Sequence, residues 1–74
     1  MGKFEVSKWC LAEKGAPSYE KIFEGTKKAC KNYKAVLDDN LKEKYRQVLA
    51  NEITSIYFCS ETEILTITID ERIN

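Results

Sequence analysis

Seventy-four residues carrying twelve Lys/Arg, twelve Asp/Glu and no histidine make a neutral chain of single-domain size. A domain this short buries only about 60–65% of its unfolded surface, which leaves a stability of a few kcal/mol. Without histidine the chain lacks the commonest general base, the commonest metal ligand and the usual activator of Ser or Cys nucleophiles.

The first element is a strand. Phe4 and Val6 alternate with Lys3, Glu5 and Ser7, which predicts extended structure over residues 3–13. Gly15-Ala16-Pro17-Ser18 breaks it, and Pro17 or Ser18 is suited to open a helix. Tyr19, Ile22, Phe23, Thr26, Ala29, Cys30, Tyr33, Val36 and Leu37 then recur at steps of three and four. That spacing predicts an amphipathic helix over 18–37, although Gly25 inside it costs about 1 kcal/mol relative to Ala. Asp38-Asp39-Asn40 opposes the helix macrodipole and is expected to end the helix.

Asn40 and Glu43 resemble a capping box for a second helix carrying Leu41, Tyr45, Val48, Leu49 and Ile53. A link of two or three residues would fold the two helices into an αα-hairpin. Residues 53–60 are rich in β-branched and aromatic side chains, and 64–70 alternate Leu65, Ile67 and Ile69 with Thr66, Thr68 and Asp70. A β-hairpin follows. The expected fold class is α+β in the order β-α-α-β-β. It is a small three-stranded antiparallel sheet with a helical hairpin packed on one face, in a single compact domain over 1–74. Its expected core joins Ile22, Phe23, Tyr33 and Leu37 to Leu49 and the Leu65/Ile67/Ile69 row.

Cys10, Cys30 and Cys59 are too few and too far apart for a disulfide scaffold or a zinc site, and an odd count favours a reducing compartment. The chain shows neither a signal-peptide pattern nor a run of about 20 apolar residues, so a soluble cytoplasmic protein is expected. The three glycines are isolated, which rules out a phosphate-cradling loop. Asp38-Asp39 and Asp70-Glu71 read as element ends rather than catalytic pairs. No catalytic residue, metal or cofactor is expected.

Two surfaces carry positive signals. Lys27, Lys31 and Lys34 share a helix side, with Lys28 beside them, in a stretch without acidic residues. A solvated helix face is the ordinary role of such lysines; the functional one is a surface for phosphates or an acidic partner. The chain is also polarised, with eleven Lys/Arg against seven Asp/Glu in residues 1–46 and one against five in 47–74. The second surface is the sheet face left open by the helices, expected to show Thr66, Thr68 and either Trp9 or Tyr57. These residues read as a partner-binding surface. The expected function is a non-enzymatic regulator or inhibitor that occupies a surface of another protein, in the style of small virus- or phage-encoded host regulators. The alternative is weak, low-specificity nucleic-acid binding by the Lys27/Lys28/Lys31/Lys34 face, since only Arg46 and Arg72 could supply the usual base reader.

Overall fold

The computed structural model describes residues 3–72. It contains β1 (Lys3–Ala12), β2 (Ser18–Gly25), α1 (Lys27–Lys44), β3 (Arg46–Ala50), β4 (Thr54–Ser60) and β5 (Glu63–Arg72). The strands form one antiparallel sheet in the order β2-β1-β5-β4-β3. Connections are short. Gly15, at φ 97°, turns β1 into β2 in a conformation that a side chain would disfavour. Asn51 closes the β3–β4 turn, its Oδ1 accepting from the amides of Ile53 (2.9 Å) and Thr54 (2.8 Å).

Residues directly opposite in a ladder share a face, so the register assigns each side chain. Val6 pairs with Ile69, Ser55 with Ile67 and Tyr57 with Leu65, and all but Ser55 belong to the buried core under the helix. Cys30 brings α1 into that core, with Leu37, Leu41 and Tyr45 packed partly against it. Phe23 of β2 stacks on Tyr33 of α1, ring centroids 4.6 Å apart and planes 14° from parallel. Gly25 permits this approach, because a Cβ there would lie 3.3 Å from the Phe23 ring.

The expected β-α-α-β-β order, three-stranded sheet and helical hairpin are corrected: five strands accompany one helix. Residues 18–25, expected as the first half of a helix, form edge strand β2. A bulge at Ile22 shifts the register between Val6 and Ser7, which breaks the period-two alternation and mimics a helical period. The helix begins only at Lys27, where the Thr26 hydroxyl accepts from the Ala29 amide at 3.1 Å.

The expected break at Asp38-Asp39-Asn40 is also corrected, since α1 runs through it to Lys44. Asp38 is turned inward to an ammonium and two hydroxyls, which outweigh its interaction with the macrodipole. The expected second helix ends early, and Arg46–Ala50 becomes edge strand β3. Another bulge, between Gln47 and Leu49, hides its alternation. Leu49, expected in the core, lies across from Ile56 on the opposite face and is 45% exposed.

Candidate protein-docking face

The sheet face away from α1 is open. By register it presents Trp9 and Leu11 from β1, Thr66 and Ile64 opposite them on β5, and Ile56 and Phe58 beyond on β4. Tyr19 of β2 is paired with Trp9, and Leu49 of β3 with Ile56. These side chains form two adjacent rows about 7 Å apart along the strand direction. Tyr19, Trp9, Thr66, Ile56 and Leu49 cross all five strands, about 19 Å at about 4.8 Å per strand, while Leu11, Ile64 and Phe58 cross three, about 10 Å, with Arg46 of β3 beside Phe58. Trp9 (42%), Tyr19 (45%), Leu11 (48%) and Phe58 (46%) expose much of their surface. A contiguous apolar band of this kind differs from the scattered single exposures normal on a protein surface.

The band is held in place. The Trp9 and Tyr19 rings meet at 4.9 Å with their planes tilted by 56°, an aromatic geometry that fixes both. Tyr19 leans along β1 and its hydroxyl donates to Glu5 Oε2. Ser7 lies between Trp9 and Glu5 along β1 and has no exposure, consistent with the Tyr19 ring passing over it. The Ser7 hydroxyl donates to the same Glu5 oxygen at 2.7 Å. Glu24, Glu5 and Asp70 stand in one cross-strand row beyond the aromatics. At the far end Glu13 and Glu61 border Leu11 and Ile64. Among the described residues no group of three acidic, Cys or His side chains is placed to hold a metal ion.

Trp9, Thr66 and Thr68 therefore share the open face, with Thr68 bonded to Thr54 through their hydroxyls at 3.2 Å. Tyr57 does not join them. It faces the helix with no exposure, donating to Asp38 Oδ1 at 2.5 Å and accepting from Gln47 at 3.0 Å. Alternation places it there, since residues 55 and 57 share a face while 54, 56 and 58 take the other. Burial and then the Asp38 carboxylate push the Tyr57 hydroxyl up to about 12.

That shift has a defined sign. A phenol whose folded pKa exceeds the ordinary value near 10 stays protonated in the fold while the unfolded chain ionises. Its contribution is intact below pH 10 and is lost as pH rises from about 10 to 12, by roughly 2–3 kcal/mol. In an alkaline titration followed near 295 nm, one of the four tyrosines should ionise last and together with unfolding. Four tyrosines ionising independently in a protein that remains folded would contradict this burial.

The lysines are dispersed. Lys34 is only 3% exposed and donates to Asp38 Oδ2 (2.8 Å), the Asn51 carbonyl (2.8 Å) and Ser55 Oγ (2.7 Å). Three donated bonds use all the protons of an ammonium, so this group holds the helix to the sheet rather than a ligand. Ser55, with no exposure, donates its own hydroxyl hydrogen bond to Asp38 Oδ2 at 2.9 Å and is inaccessible as a nucleophile. Lys31 pairs with Glu52 at 3.1 Å, and the Lys27 ammonium lies 5.9 Å from the centre of the Phe4 ring. The basic helix face divides into a buried ion, a paired ion and solvated Lys27 and Lys28.

Sequence reasoning missed Tyr19, Leu11, Ile64, Phe58, Ile56 and Leu49 in the band. β1 and β5 carried a usable signal, because Leu11 continues the parity of Trp9 and Ile64 that of Thr66 and Thr68. Compared with known protein families, curated proteins and solved structures, the chain matches none. Among the described residues, no helix is long and apolar enough to cross a membrane.

Proposed function

We propose that this chain is a non-enzymatic, cytoplasmic protein-binding module, a regulator or inhibitor, that docks its open sheet face on a partner protein. The observation that carries this reading is the apolar band centred on Trp9, Tyr19 and Leu11, ordered by its own contacts and uncovered. A sheet with one face under a helix gains by burying the other, and aromatic anchors contribute most of the affinity in such contacts. The partner surface should be apolar at its centre, with basic residues toward Glu13 and Glu61 at one end and Asp70 at the other.

The solvated lysines lie on the helix side, where they orient the approach of a charged partner without entering this contact. Nucleic-acid binding is the weaker reading, because Lys34 is consumed internally and Lys31 is already paired. Trp9→Ala should cost about 2 kcal/mol or more of partner affinity. A partner captured from lysate after nuclease and a salt wash, then purified, allows that loss to be measured by calorimetry. Unchanged circular dichroism of the variant would confirm its fold. Equal affinity of parent and variant, or capture abolished by nuclease, would reject the proposal.

A further inference from the structure

The sheet has two edges of unequal character. β3 is five residues long, and Arg46 is its one charged residue, so a second β3 offers it no opposite charge. β2 is eight residues long, and among the described residues no strand pairs with its outer side. Its bulge at Ile22 puts Lys21 and Glu24 on the same face, opposite Ser7 and Glu5 of β1. Within one strand Lys21 Nζ lies 3.0 Å from Glu24 Oε1.

From this we infer that β2 pairs with β2 of a second copy about a two-fold axis, joining two sheets into one of ten strands. In the antiparallel register that sets Lys21 opposite Glu24 of the second copy, Ile22 falls opposite its Phe23. The axis repeats both pairs, and Glu20 meets Gly25. Unlike charges across a ladder attract. A slip of one residue would instead set Glu20, on the helix side, against Glu24 of the second copy, on the open side, so the matching of faces selects the register.

Above this seam lies the flank of α1. Phe23, Ala29, Tyr33, Val36 and Leu37 line an open groove of about 510 Å³, edged by Asn32 and Asn40 and free of charged residues. Val36 is 63% exposed there. The stacked Phe23 and Tyr33 rings stand at the seam, where Ile22 and Phe23 of the second copy complete the apolar layer. In this register residues 20–25 of each β2 pair over about 20 Å, and the sheet and helix layers together are about 20 Å deep, giving about 400 Å² on each copy. The total of about 800 Å² is below the size of a stable specific interface, so the dimer is weak and transient, with dissociation toward the upper end of the micromolar range.

Sedimentation equilibrium of the purified chain over about 1 μM to 1 mM tests this pairing. The parent should dimerise in the micromolar range. Lys21→Glu and Glu24→Lys should each weaken association by about tenfold or more, since each opposes like charges twice across the axis. The double variant Lys21→Glu/Glu24→Lys restores opposite charges and should return to within about threefold of the parent. Val36→Glu should abolish dimers with its circular dichroism unchanged, while Trp9→Ala, on the open face, should leave them intact. A parent that stays monomeric to about 1 mM would overturn the pairing. So would dimers insensitive to charge reversal, dimers not restored by the swap, or dimers lost in Trp9→Ala.

Discussion

Asp38→Ala is expected to destabilise the fold by about 3–5 kcal/mol, the largest effect of any polar substitution in this chain. The carboxylate accepts from Lys34 and Ser55 at one oxygen and from Tyr57 at the other. Removing it leaves a 3%-exposed ammonium without its counter-charge and a buried phenol without its acceptor. Breaking a buried pair from one side costs more than the pair is worth, because the remaining charge stays desolvated. The loss is comparable with the whole stability of a domain this small, so the variant should be largely unfolded in water. Asp38→Asn, which keeps one acceptor oxygen but loses the charge, should fall between the two. Urea denaturation followed by circular dichroism reads the series. A change below about 1 kcal/mol for Asp38→Ala would mean that water or rearrangement satisfies Lys34 instead.

Ile67→Ala is expected to cost about 2–5 kcal/mol, and Leu49→Ala less than about 1 kcal/mol. Ile67 is 1% exposed on β5, the middle strand of the sheet, under the helix, so truncation leaves a cavity that ladders on both sides hinder from collapsing. Leu49 sits on short edge strand β3, 45% exposed on the open face. A second helix packed on the sheet would have made the two losses similar. Their ratio, measured by the same unfolding experiment, therefore tests the five-stranded topology in solution. Equal losses would place Leu49 in a core and remove β3 from the edge.

The sequence by itself determined the elements whose period is unbroken. The Leu65/Ile67/Ile69 alternation marked β5 and its buried side, and Phe4 and Val6 marked β1, because period two with one buried face allows a single assignment. The same rule identified Thr66 and Thr68 as open-face residues, and no residue needed to be seen in space for that. It should also have excluded Tyr57 from that face, given Leu65 opposite it, but the pairing of β4 with β5 is not written in either strand alone.

The tertiary structure decided everything that passes through a bulge or an internal ion. One extra residue at Ile22 and one between Gln47 and Leu49 turned two strands into apparent helix, since three- and four-residue steps then replace two. Asp38 read as a helix end because its partners, Lys34, Ser55 and Tyr57, come together only when α1 lies on β4. Lys34 likewise read as surface: a lysine four residues before an aspartate is ordinary on an exposed helix, and only a covering sheet makes it a buried tie. The aromatic band required five strands in the order β2-β1-β5-β4-β3, for Tyr19 and Trp9 are ten residues apart in sequence and become neighbours through a ladder. Local periodicity records which way a side chain points, whereas the neighbour it meets depends on pairings between distant segments, which no local pattern encodes.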